Sequence, residues 1–161
     1  MSKDIDKLWD MISKPTACMV TTVDDGVLRS RPMAPYIDKK ARTIRFITDR
    51  TSAKVEELHH DRDLALNFVN EDAMQYVSIS GRGEVSADRG LITEMWGPYC
   101  DVFFGGDPKT ADVVVITVKP DQAEFWDNDK GSIAMAYSFA KAYFTDEGPD
   151  LGDNAKLDMA S

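Results

Sequence analysis

Only two cysteines occur in the 161 residues, Cys18 inside an apolar run and Cys100 in a loop-like stretch. They make no disulfide framework, and neither sits in a metal-binding spacing. Histidine is as scarce: His59 and His60 are adjacent, so on a helix they point about 100° apart. That excludes a Ser-His-Asp or Cys-His centre and leaves a metal site without its further ligands. No apolar run approaches the roughly 18 residues that a membrane span needs. The first residues, M-S-K-D-I-D-K-L-W, have neither the apolar core nor the small-residue cleavage site of a signal peptide. The expectation is a cytoplasmic protein with no membrane partner. Net positive charge is absent too, at −9 overall and a pI near 4.6. A broad nucleic-acid or anionic-membrane face works by neutralising phosphates, so neither is expected as a partner. No internal repeat or low-complexity segment is found.

What is there is ordinary globular material, 43% hydrophobic and 29% charged, in a length that suits one domain with a real core. Residues 1–144 read as that domain. Residues 145–161, with D-E-G-P-D-L-G-D-N, read as an acidic, mobile C-terminal tail. Ile5, Leu8, Trp9 and Ile12 recur at helical spacing, which predicts a short amphipathic helix over 4–14, ended before Pro15. T-A-C-M-V-T-T-V and V-L-R-S-R-P-M flank Asp25-Gly26, a strong hairpin signal because Gly accepts the positive φ of a tight turn. After a turn at D-K-K-A come the strand T-I-R-F-I-T and a helix from about Ser52 to His60. L-A-L-N-F-V and M-Q-Y-V-S-I-S-G-R-G-E-V are further strands, the second carrying Gly81 and Gly83, which suggest a bulge where a sheet curls. Residues 88–96 can form a helix, and W-G-P-Y-C-D-V-F-F-G-G-D-P-K-T reads as a loop. V-V-V-I-T-V is a buried strand and A-E-F-W-D one more. With hairpin-length links and no βαβ rhythm, the chain reads as mainly β: a six- or seven-stranded antiparallel barrel with three or four short accessory helices.

One stretch runs against the charge of the rest. From Arg29 to Lys54 there are eight Lys/Arg (29, 31, 39, 40, 42, 45, 50, 54) against Asp38 and Asp49, a local balance of +6. Arg29 and Arg31 alternate with Ser30 and so share a strand face. Thr51 or Ser52 offers a hydroxyl at a helix start, with Lys54 in the first turn, where free N–H groups favour an anion. Hydroxyl, ammonium and guanidinium groups gathered there suit a phosphomonoester. Taken singly, each has a plainer reading: Ser52 as an N-cap, the arginines as solvated charge. Asp24-Asp25 reads as a turn pair, and Glu56-Glu57 as the solvated face of the helix. Gly81-x-Gly83 lacks the strand–turn–helix setting of a phosphate loop, and the eight methionines read as packing.

In their order, these segments resemble the pyridoxamine-phosphate oxidase-like, FMN-binding split-barrel superfamily, and within it the general stress protein 26 branch. Ser30-Arg31-Pro32-Met33 is similar to the oxidases' A-R-M-V, whose arginine meets the FMN phosphate. Phe46 to Leu58, F-I-T-D-R-T-S-A-K-V-E-E-L, is similar to their F-Y-T-N-x-x-S-R-K-A-x-E-L, with Ala53 in place of a second phosphate-binding arginine. Ile79 to Glu84 resembles V-E-G-R-V-E, and Glu124-Phe125-Trp126 resembles E-F-W. Trp96, Phe104-Gly105-Gly106-Asp107-Pro108 and Val113-Val114-Val115 resemble features of the stress-protein branch. The correspondence covers about residues 5–130. It implies an FMN-binding split barrel, active as a homodimer with the flavin between subunits. The phosphate would lie against Arg31, Ser52 and Lys54, with Pro32, Met33, Ile47, Thr48 and Thr51 also at the cofactor. Trp126 would cover the ring from the dimer partner; as a plain reading it is equally core. The oxidases' R-x-H-x-R after that tryptophan is missing, replaced by D-N-D-K-G-S-I-A-M-A-Y, so vitamin B6 oxidation is not expected. Three roles follow from the resemblance: a flavin-dependent oxidoreductase of a small molecule, a non-catalytic flavin-binding stress protein, or a binder of deazaflavin F420 or haem.

Overall fold

The computed structural model describes residues 3–128, 131–145, 148–150 and 152–160. Its helices are α1 (Lys3–Ile12), α2 (Ala53–His60), α3 (Arg89–Met95), α4 (Pro98–Phe103) and α5 (Gly131–Phe144). Its strands are β1 (Cys18–Asp24), β2 (Val27–Met33), β3 (Tyr36–Asp38), β4 (Thr43–Asp49), β5 (Asp63–Asn70), β6 (Gln75–Ser86), β7 (Val113–Asp127) and β8 (Asp153–Asp158). All pairings are antiparallel, in the order β2-β1-β5-β6-β7-β4-β3, with β8 added alongside β7.

Local chemistry explains the joints. The β1–β2 hairpin turns on Asp25 (φ 48°) and Gly26 (φ 80°), the two left-handed residues of a tight hairpin turn. β6 and β7 pair along their whole length with one irregularity between Ser80 and Gly81. There Gly81 lies opposite Pro120, and a Cβ on Gly81 would sit 2.5 Å from the Lys119 carbonyl oxygen. Proline donates no ladder hydrogen bond and glycine permits the close approach, so the two long strands bend together. Beyond that bend β7 changes its second neighbour. Its first half pairs with β4, and Gln122–Asp127 pairs with β8. One curled sheet thus makes both halves of a split barrel.

The core fills that curl. Phe46, Leu66, Phe68, Ile79, Ile116 and Phe125 are almost fully buried, and α1 adds Leu8, Trp9 and Ile12. A second cluster, Ile92, Val113 and Val115 with Ile47, Met95, Trp96 and Phe104 around them, fastens the α3–α4 segment to the start of β7. This cluster sets the far wall of the site.

Several sequence expectations need correction. Among the described residues the strand count is eight, because short β3 and β8 escape a pattern search, while V-V-V-I-T-V and A-E-F-W-D are one continuous strand through Pro120. The proline that divides them in the sequence sits at the bend. Pro98 to Phe103 is helical, opened by proline in its first turn. The stretch assigned to the tail contains β8, in which Ala155 and Leu157 pack on the core. Glu57 is 5% exposed rather than solvated. No described helix is long and apolar enough to cross a membrane.

Candidate functional site

Four cations of the Arg29–Lys54 stretch are balanced by acids from outside it, Arg29 by Asp24, Arg31 by Glu57, Lys39 by Asp10 and Arg50 by Asp112, and Arg45 pairs with Asp38 within it. The basic stretch is therefore no open cationic face. Lys54 differs. No carboxylate lies within 4 Å of its ammonium among the described residues, and Nζ donates to Thr48 Oγ1 at 2.8 Å. Burial is the main force pulling its pKa below the usual lysine value, and the Arg31 charge adds to it. Two cations face each other here with too little negative charge between them.

They meet because three elements converge. β2 brings Arg31, Pro32 and Met33; β4, pairing with β7, brings Ile47 and Thr48; α2 starts just after β4 and brings Lys54. Ser52 is the N-cap of α2 in extended conformation, and its side chain makes no capping bond. Its hydroxyl lies 3.4 Å from that of Thr48 instead. The main chain holds the turn, with Ser52 N–H donating to the Asp49 carbonyl and Val55 N–H to that of Ser52.

A cavity of about 360 Å³ opens at this point. Arg31, Pro32, Met33, Ile47, Thr48 and Lys54 line it from β2, β4 and α2; Tyr36, Met95, Pro98, Tyr99, Cys100 and Phe104 are among the other lining residues. Its volume lies within the range of cofactor sites, which are mostly apolar with few polar groups. The charged groups come from β2 and α2, and the aromatic ones from β3 and the α3–α4 segment. Among the described residues no carboxylate or imidazole lines it, so the arrangement suits binding of an elongated, partly aromatic anion better than proton transfer.

Of the residues singled out in the sequence, Arg31, Pro32, Met33, Ile47, Thr48 and Lys54 are thus brought together. Ser52 stands behind Thr48, Thr51 is exposed in the turn, and Arg29 points to solvent with Asp24. Trp126 lies on β7 between Tyr76 and Asn154, 39% exposed and away from the cavity of its own chain. That exposure removes the core reading for it. Sequence reasoning missed the α3–α4 wall, whose one signal was the run W-G-P-Y-C with its two aromatics. It also missed Glu57, whose one signal was that the E of the oxidases' A-x-E-L falls on it while Glu56 falls on the unspecified position.

An antiparallel sheet bent at a shared bulge, with a cavity between two of its strands and a helix start, defines a split β-barrel. The chain belongs to the pyridoxamine 5'-phosphate oxidase-like family, whose model matches residues 3–150. Protein bli-3 of Neurospora crassa is 26% identical over 156 residues, covering 90% of this chain and 75% of that protein. A Jannaschia protein described as a general stress protein 26 superposes with a TM-score of 0.80 at 26% identity, over 98% of this chain and 99% of that one. The general stress FMN/FAD binding protein of Xanthomonas citri gives 0.69 at 23% identity, over 81% and 93%.

Proposed function

We propose that the protein binds FMN in the cavity between β2, β4 and the start of α2, and uses it as a flavin-dependent oxidoreductase of a small molecule. The observation that carries this reading is Lys54: a desolvated ammonium beside Arg31, without a carboxylate of its own, at the charged end of an otherwise apolar cavity. A phosphate is the group that such a pair of cations lacks. Arg31, Lys54, Thr48 and Ser52 would hold it, with Thr51 at the turn. Pro32, Met33 and Ile47 would line the cofactor beyond it, and the aromatic wall would face the ring. The FMN/FAD binding of the Xanthomonas relative supports this choice of ligand. FMN supplies hydride or electron transfer when bound; the protein's part is position, electrostatics and access.

The half-exposed Trp126 gives the dimer its support. It has no role in its own chain's cavity, and a homodimer with flavin sites at the subunit interface would give it one. A cytoplasmic location is in keeping with this reading.

The test has two stages. The purified protein is expected to take up one FMN per chain and to elute as a dimer. Colourless protein that binds no FMN on titration would sink the reading in favour of another ligand, deazaflavin or haem. Bound FMN is then mixed with NADH or NADPH: reduction faster than that of free FMN supports an oxidoreductase. A rate no faster leaves a non-catalytic flavin binder.

A further inference from the structure

Behind the proposed phosphate wall Arg31 is tied to two buried polar residues, Glu57 and Thr22, that the binding reading does not use. The Glu57 side chain is 4% exposed and that of Arg31 22%. Glu57 Oε2 accepts from Arg31 Nη2 at 2.8 Å. Thr22 on β1, fully buried, donates its hydroxyl to the same oxygen and accepts from Arg31 Nη1. Thr22 thus bridges the acid and the guanidinium, and both ends of the fork are fixed. Of the five N–H groups of the guanidinium, two are committed to this cluster, which leaves three for other partners. The other Glu57 oxygen, Oε1, is buried with no hydrogen-bond partner.

A buried carboxylate with an unsatisfied oxygen is costly. The acid also lies three residues from Lys54 on α2, so the two share a helix face. It gives Arg31 and Lys54 a common counter-charge, to which Asp49 at the end of β4 adds for Lys54.

We infer that Glu57 is a positioning residue: with Thr22 it holds the Arg31 guanidinium in the orientation that meets a phosphomonoester in the adjacent cavity, while its charge keeps the two cations together when no ligand is bound. This rests on the FMN reading above. It extends that reading to residues with no contact to the ligand.

Two opposite effects of Glu57 are separable by substitution. Its geometry aids the phosphate, and its charge opposes it. Glu57→Gln keeps an oxygen that accepts from Arg31 and Thr22 but removes the charge. Glu57→Ala removes both. FMN and riboflavin, which differ by the phosphate alone, are titrated against wild type and both variants by quenching of flavin fluorescence. Glu57→Ala is expected to bind FMN about tenfold more weakly, the size of one lost charge-assisted orientation, with riboflavin affinity unchanged. Glu57→Gln is expected to bind FMN at least as tightly as wild type. In an Arg31→Ala background the Glu57→Ala change is expected to have no further effect.

Equal losses for FMN and riboflavin would overturn the inference, because a merely structural role weakens both. FMN binding by Glu57→Ala as tight as wild type would overturn it too, and leave Glu57 as a competitor of the phosphate only. If Glu57→Ala does not fold, Thr22→Val carries the test. It keeps the side-chain shape and deletes the bridging hydroxyl, and a loss of several-fold confined to FMN is expected. The parent reading fails differently. Wild-type protein that binds no FMN sinks both, whereas Arg31→Ala and Lys54→Ala proteins that still prefer FMN to riboflavin displace the phosphate itself.

Discussion

Replacing Lys54 by Met separates what binding wants from what stability wants. Met keeps most of the apolar stem of the lysine and removes its charge. In the free protein the ammonium is partly desolvated, is opposed by Arg31 and, among the described residues, has the Thr48 hydroxyl alone as hydrogen-bond partner. Removing it relieves a penalty, so the apoprotein is expected to melt at the wild-type temperature or above it. In the FMN complex the same group would make a charge-assisted bond to the phosphate, worth about 1.5–3 kcal/mol. FMN affinity is then expected to fall about 10- to 150-fold. The two effects are read in one thermal-shift experiment. At FMN concentrations about 100 times the wild-type Kd, ligand binding adds about 2.7 kcal/mol of stability, and a 30-fold weaker variant keeps about 0.9 kcal/mol of it. For a domain of this size that is a shift of roughly 5–11 °C for wild type against about 2–4 °C for the variant. The reasoning is refuted if the Lys54→Met apoprotein melts several degrees below wild type, since Lys54 would then be a structural cation. It is equally refuted if the FMN-induced shifts are the same.

Other consequences concern the frame. Asp127 is buried at the end of β7, bound by Lys7 Nζ at 2.8 Å and Gln75 Nε2 at 3.1 Å; Asp127→Ala is expected to cost about 1–3 kcal/mol in urea unfolding, because it strips Gln75 Nε2 of this partner and leaves Lys7 only the exposed Asp153, at 3.1 Å. Burial alone would raise the pKa of both Glu57 and Asp127, but hydrogen bonds from Thr22 and Arg31, and from Lys7 and Gln75, bring the net shift below the ordinary carboxylate values. Their contribution is therefore complete above about pH 5 and lost as pH falls through the folded-state values; the unfolding midpoint is expected to drop on acidification, with a shallower drop in an Asp127→Asn protein. Gly81→Ala drives a Cβ into the Lys119 carbonyl and is expected to destabilise by about 2 kcal/mol or more, whereas a neutral result would deny that the bend depends on this contact. Burial pushes the Cys18 thiol up to about 12, so in native protein at pH 8 it is expected to resist a thiol reagent that labels it after unfolding, as read by mass spectrometry.

The strands of the barrel were legible wherever side-chain alternation or a β-branched run met a turn signal, as in β1, β2, β4 and β7. Gly81 marked the bulge because glycine at that point in a strand has little other reason to be there. β3 and β8 were not legible: three exposed or half-buried residues and the polar run D-N-A-K-L-D become strands only because β4 and β7 offer them edges. At the site, the residues adjacent in sequence to the helix start were readable, since Thr48, Ser52 and Lys54 come together through local geometry. The α3–α4 wall is brought in by the packing of Ile92 and Phe104 around Val113 and Val115, a tertiary contact with no periodic signature. Glu57 was misread for a related reason. Helical spacing places it beside Lys54, but only the position of β1 and β2 decides that this face is buried. The +6 balance overstated the local charge, because its counter-ions come from Asp10, Glu57 and Asp112, outside the stretch or far along the chain.

The central claim is that the cavity holds a flavin by its phosphate, between Arg31 and Lys54. The ratio of FMN to riboflavin affinity on the purified protein measures it most directly. One FMN per chain, bound at least tenfold more tightly than riboflavin, is the expected result; equal affinities, or uptake of neither, would contradict it.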